Sequence, residues 1–190
     1  MVREDCEGEP SSRRGLLRAS GAALAGIAVA GCGSKSLKAQ VNNSAPVLST
    51  DVDLLNQLLD LEHMAIAAYT AATPLLDPAV SKAGALFLND ELAHAGALAV
   101  WIKAAGGMPI DPAPSYDLGH PRTSQEVLAL LHEVENAQLT AYLNAITHLE
   151  PGTVKSSIAA ILANDAQHVA VVRAALHQPA VPSAFVTGRD

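Results

Sequence analysis

Two short stretches decide the fold: Glu91-Leu92-Ala93-His94 and Asp165-Ala166-Gln167-His168. In each, a carboxylate precedes a histidine by three residues, a spacing that sets both side chains on one face of a helix, a turn apart. Around the first, Gly84, Phe87, Glu91, His94, Leu98, Trp101 and Ala105 step by threes and fours. Around the second, Ile158, Ile161, Asp165, His168, Val172 and Ala175 do the same. This is the period of an inward helical stripe.

Two further segments share that period. Leu55, Leu58, Glu62, Ala65, Tyr69 and Ala72 form one seam, and Leu128, Leu131, Glu135, Gln138, Tyr142, Ala145 and Leu149 form the other. Each carries a glutamate followed seven residues later by a tyrosine, so each Tyr is expected above its own carboxylate on the same face. Glu62 precedes Glu91 by 29 residues and Glu135 precedes Asp165 by 30. The chain therefore reads as a duplicated helix hairpin.

Turn residues bound the four helices. Thr50 or Asp51 can cap the first, and Pro74 and Pro78 frame a short turn before the second, expected to reach Ala105. Gly106-Gly107 ends it. A Pro- and Gly-rich stretch runs to Thr123, the third helix begins near Ser124, and Pro151-Gly152 turns the chain into a fourth, about Thr153 to His177. The long connection could extend to roughly 60 Å, enough to run back along a helix about 40 Å long. The expected architecture is all-α: a four-helix bundle over residues 51–177, two helical hairpins joined by a long crossover, followed by an extended tail over 178–190.

Composition agrees with helices. Of 190 residues, 49% are hydrophobic but only 3% aromatic, and strands favour the aromatic and β-branched side chains that are scarce here. A net charge of −7 argues against a nucleic-acid partner, which would require a basic face. No phosphate-binding glycine loop is present.

The first 31 residues read as an export signal. Arg13-Arg14 followed by Leu16-Leu17 resembles a bacterial twin-arginine signal, and the apolar run from Ala19 to Ala30 is too short to span a membrane. Val29-Ala30-Gly31-Cys32 resembles a lipobox, in which Cys32 receives lipid and becomes the first mature residue; an ordinary cleaved signal with an incidental cysteine is the alternative. Removing residues 1–31 discards four basic and four acidic residues, so the balance stays at −7. Residues 32–50 then form a lipidated, flexible tether reaching roughly 20–25 Å above the membrane.

Glu62, Glu91, His94, Glu135, Asp165 and His168 all fall on otherwise apolar seams, and the distances from the turns bring them to the middle of the bundle. Four converging carboxylates would repel one another at a cost of several kcal/mol each unless compensated. Two divalent metals would supply the matching charge, with two neutral imidazoles completing the set. Protonated carboxyls hydrogen-bonded to His and Tyr are the metal-free alternative. Gln138 is read as polarity without a metal role, His63, His132 and His148 as surface residues, and Phe87, Trp101 and Met64 as packing.

A Glu from each of two helices and a carboxylate-x-x-His from each of the others resembles the ferritin-like di-iron and di-manganese carboxylate family. The resemblance covers about Asp51 to His177. It implies that Glu62 with His94 and Glu135 with His168 each serve mainly one of two Fe or Mn ions, that Glu91 and Asp165 bridge, and that Tyr69 and Tyr142 hold ligand carboxylates. Asp165 departs from the usual Glu and has less reach. The implied function is an envelope-anchored protein reacting with O₂ or peroxide, through ferrous oxidation or peroxide removal in stress defence. A non-catalytic metal-binding or stress-associated lipoprotein is the rival, and a bundle serving only as a partner surface is a third reading. Expected partners are the membrane, through the lipid anchor, and a second copy of the chain in a homodimer, with no nucleic acid.

Overall fold

The computed structural model describes residues 47–150 and 152–189. Arg13, Arg14 and Cys32, with the expected signal and most of the tether, lie outside the described residues.

After a 3-10 turn at Ser49–Asp51, four helices follow: α1 (Val52–Ala72), α2 (Pro78–Ala104), α3 (Ser124–His148) and α4 (Thr153–Ala175). Among the described residues no strand occurs, and the all-α four-helix bundle is the fold. No described helix is long and apolar enough to cross a membrane.

Local chemistry sets the helix ends. Pro78 opens α2, where its missing N–H costs no helical bond. Thr123 and Glu126 form a reciprocal capping box on α3: Glu126 N–H donates to Thr123 Oγ1, and Thr123 N–H donates to Glu126 Oε2. Two helices stop one to two residues short of their expected ends because the chain turns left-handed there. Gly106, at φ 81°, closes α2 with Gly107 N–H donating to Ile102 O and Gly106 N–H to Lys103 O. His177, at φ 58°, closes α4 in the same way through Gln178 N–H to Arg173 O and its own N–H to Ala174 O.

The crossover runs beside α1. Asn56 near the start of α1 holds it twice, donating to Met108 O at 3.1 Å and accepting from Ile110 N–H at 3.0 Å. Tyr116 reaches Asp60 further along at 3.4 Å, and Leu118 packs near the far end. There Asp77 N–H donates to Ser124 Oγ, tying the first hairpin turn to the start of α3. The crossover thus returns the chain to the level of that turn, so α3 runs antiparallel to α1.

The core forms two apolar clusters. One gathers Leu55, Leu58, Leu59, Leu98, Trp101, Ile102 and Ile158; the other gathers Ala65, Ala68, Ala72, Val127, Leu131 and Val172. Along every helix the polar seam residues fall between these sets. Past α4 the tail returns over α3: Arg173 Nε donates to Pro179 O, and Thr140 Oγ1 donates to Gly188 O. A Cβ at Gly188, where φ is 68°, would lie 2.6 Å from Asn136 O, so only glycine fits this approach.

The two helix stops predict opposite responses to substitution. Gly106→Ala, in open space, loses about 1 kcal/mol purely through its backbone, whereas exposed His177→Gly gains about 0.5–1 kcal/mol. Urea unfolding of the two variants checks both signs.

Candidate metal centre

Each of the four helices delivers acid to one layer: Glu62 from α1, Glu91 from α2, Glu135 from α3 and Asp165 from α4, all fully buried. His168 is 1% exposed, and His94 is the outermost of the six at 9%. All six residues singled out by the seam pattern meet here.

Their donor atoms form two groups that share a member. Glu91, Glu135, Asp165 and His168 each place one ligand atom within 4.8 Å of the others, and so do Glu62, His94 and Asp165. Asp165 belongs to both despite its shorter side chain. Glu91 also faces both imidazoles, with Oε1 3.2 Å from His168 Nδ1 and Oε2 3.9 Å from His94 Nδ1. His94 Nδ1 lies 3.4 Å from Asp165 Oδ1 and 3.8 Å from Glu62 Oε2. Both rings therefore turn Nδ1 inward.

Hydroxyl and amide donors hold the outer edges of the carboxylates. Tyr69 donates to Glu135 Oε1 at 2.5 Å, and Tyr142 donates to Glu62 Oε1. Each tyrosine stands above its own glutamate and serves the glutamate of the other hairpin, because antiparallel α1 and α3 set Glu62 opposite Tyr142 and Tyr69 opposite Glu135. Gln138 Nε2 donates to Glu91 Oε2 at 2.8 Å, so it belongs to the site's support. Asp90 Oδ2 lies 3.3 Å from His168 Nε2, and the Phe87 ring stacks on that imidazole at 4.0 Å. Phe87 is thus more than packing.

The remaining histidines stay outside the cluster. His63 and His132 are half-buried where surface positions were expected, His148 is exposed, and Glu133 points to solvent. Burial lowers the His63 pKa against the pull of Asp60 and Asp111.

Without cations the layer keeps protons. Burial, followed by the nearby Glu91 and Glu135 charges, lifts Asp165 to about 9. Burial and the Glu91 and Asp165 carboxyls raise Glu62 well above its usual range, against the Tyr142 hydroxyl. Burial also raises Glu135, against hydrogen bonds from His168 and Tyr69. For Glu91, burial is outweighed by His168, His94, Glu62 and Gln138, which together hold it ionised. For His168, burial is outweighed by Glu135 and Glu91, and its pKa rises to about 10. Burial and their glutamate partners push both tyrosines up, keeping their hydroxyl protons in place.

The donor set fits metal ions. Glu62 Oε2, His94 Nδ1, Glu135 Oε2 and both Asp165 oxygens are buried without a hydrogen-bond partner, and Glu91 Oε1 meets only the His168 imidazole. Orphaned acceptors at this density are rare in protein interiors, and facing lone pairs on carboxylate and imidazole are what a divalent cation satisfies.

A four-helix bundle with carboxylates and histidines converging between two apolar clusters defines the class of ferritin-like proteins. The family model for the ferritin-like domain matches residues 50–178, and the chain belongs to that family. Among solved structures, a conserved hypothetical protein from Mycobacterium tuberculosis shares the fold with a TM-score of 0.64 at 22% identity, over 67% of this chain and 98% of its own. Comparison with curated proteins gives no match.

Stability should carry the signature of these protons. The unfolded chain releases the Asp165 proton near 3.8, while the folded metal-free chain keeps it to about 9. Between those values the folded state binds more protons, so stability falls as pH rises. Glu62 and Glu135 act in the same sense. The His168 contribution is complete below 6.5 and is lost as pH climbs through about 10. Glu91 opposes the trend only in acid, below its ordinary 4.5. The melting temperature of chelator-treated chain is expected to drop by at least about 5 °C from pH 5 to pH 9. Loading metal at neutral pH should release protons, measurable by titration in buffers of different ionisation enthalpy.

Proposed function

We propose that this chain is an envelope-anchored ferritin-like protein whose bundle carries a dinuclear iron or manganese centre. Held by Glu62, Glu91, His94, Glu135, Asp165 and His168, such a centre would supply the redox chemistry for reaction with O₂ or peroxide, in ferrous oxidation or in peroxide removal in stress defence. The observation that carries this reading is the pair of ligand groups overlapping at Asp165. Two groups ask for two ions, and four carboxylates balance their charge. Nitrogen and oxygen donors without thiolate suit iron and manganese. When bound, such a pair of ions would supply two-electron redox chemistry.

The chain's own residues fix the setting for that chemistry. Tyr69 and Tyr142 each occupy one glutamate oxygen and leave the other facing the interior. Gln138 does the same for Glu91. The apolar clusters on both sides exclude water, while His94 lies nearest to solvent.

The envelope location rests on the sequence: the Arg13-Arg14 signal, the lipobox ending at Cys32 and the polar tether after it. Twin-arginine export carries a folded domain, which allows loading in the cytosol before copper and zinc can compete. The membrane, through lipid on Cys32, and a second copy of the chain are the proposed partners.

Enclosure supports a second reading. Five of the six ligand residues are at most 1% exposed, as suits an ion held for stability by a lipoprotein that turns nothing over. Elemental analysis of purified full-length chain is expected to give about two iron or manganese ions per molecule, and Asp165→Ala to lose both, because it removes the shared ligand. Rapid consumption of ferrous iron or peroxide selects the catalytic reading; retained metal without turnover selects the structural one. A folded chain that takes up no metal overturns both.

A further inference from the structure

The duplicated hairpins allow the two halves of the site to be compared position by position. Asp90 precedes Glu91 on α2, and the matching residue before Asp165 on α4 is Asn164. Phe87 stands four residues before Glu91, and the matching residue before Asp165 is Ile161. The repeat keeps the carboxylates, the histidines and the tyrosines, with Asp165 standing for Glu91, and breaks at these two positions.

The consequence falls on the histidines. His168 is held at both nitrogens and on one face: Nδ1 faces Glu135 and Glu91 at 3.2 Å, Nε2 meets Asp90 at 3.3 Å, and the ring lies on Phe87 with 26° between planes. A carboxylate on the outer nitrogen fixes the tautomer and makes the inner nitrogen a stronger donor. His94 differs. Its Nδ1 stands farther from the carboxylates, 3.4 Å from Asp165, 3.8 Å from Glu62 and 3.9 Å from Glu91, and its side chain is 11% exposed. An isoleucine offers no ring to stack on, and Asn164 carries no charge to strengthen the imidazole. Four donors converge in the His168 group and three in the His94 group.

We infer that the halves are unequal: Glu91, Glu135, Asp165 and His168, braced by Asp90 and Phe87, hold one ion tightly, while Glu62, His94 and the shared Asp165 hold a second ion weakly and exchange it with solution. The inference rests on the dinuclear reading above and adds an order of filling. Asp90 is a positioning residue in this arrangement, acting on the ion only through His168. The weaker place is the natural entry for an ion used as substrate, because fewer donors must let go of it and its imidazole is the one in reach of solvent.

Titrating metal-free full-length chain with Mn²⁺ tests this, read by calorimetry and by electron paramagnetic resonance. Two steps at least about 10-fold apart in Kd are expected: an isolated-ion spectrum after the first equivalent and a coupled one after the second. Asp90→Asn should weaken the tight step about 10- to 100-fold and leave the weak step in place. His94→Ala should abolish the weak step and keep the tight one, and Asn164→Asp should narrow the gap. Thermal melts of each variant confirm that it folds. Two equal steps, or loss of the tight step in His94→Ala, overturns the inference while leaving a dinuclear site standing. Failure of the unaltered chain to bind Mn²⁺, iron included as a control, overturns the dinuclear reading and the inference with it.

Discussion

Four carboxyl groups and two imidazoles share one enclosed layer between apolar clusters, and the rest of the bundle is arranged around the cost of keeping them there. Left ionised and unpartnered, they would oppose folding by several kcal/mol per charge. Three kinds of compensation act at once. Hydroxyl and amide donors satisfy the outer oxygens, burial makes Glu62, Glu135 and above all Asp165 hold protons more strongly, and Glu91 pairs with a protonated His168. These measures leave several inner oxygens and the His94 Nδ1 without partners. The residual deficit is what a cation would satisfy.

The same layer fixes how the helices meet. Tyr69 on α1 binds the glutamate of α3, and Tyr142 on α3 binds the glutamate of α1. A slip of α1 against α3 by one turn, about 5.4 Å, would break both bonds and bury four unsatisfied groups. Apolar seams rich in alanine and leucine tolerate several registers; a pair of crossed tyrosine bonds selects one. The crossover supplies the antiparallel direction these bonds require, and Asn56 and the Thr123 cap hold its two ends.

Much of this was legible in the sequence because helical spacing converts directly into position. The seam pattern found the four helices and brought Glu62, Glu91, His94, Glu135, Asp165 and His168 to one level. It was blind to relations between helices. Which tyrosine meets which glutamate depends on the antiparallel register of α1 and α3, and no spacing within either helix records it. Asp90 sits one residue off the seam, where a charge reads as solvated, and only the packing of α2 beside α4 brings it to His168. Gln138 was visible as a polar residue in the core, but its purpose depends on Glu91 of the other hairpin. The left-handed residue at His177 escaped notice because glycine normally marks such stops.

Enclosure and exchange make opposing demands on a site of this kind. Complete burial strengthens every electrostatic interaction with an ion and shields it from competing ligands, but it also slows the arrival of ions and small molecules. A symmetric site would have to settle that conflict identically in both halves. A hairpin repeat with unlike supports does not, because each half carries its own neighbours behind its histidine. One half here carries a carboxylate and an aromatic ring behind its histidine; the other carries Asn164 and Ile161 at the matching positions. Since Asp165 belongs to both ligand groups, a change in one group reaches the other through a single carboxylate. Its short side chain limits how far that carboxylate can swing, so the two halves are coupled while differing in support.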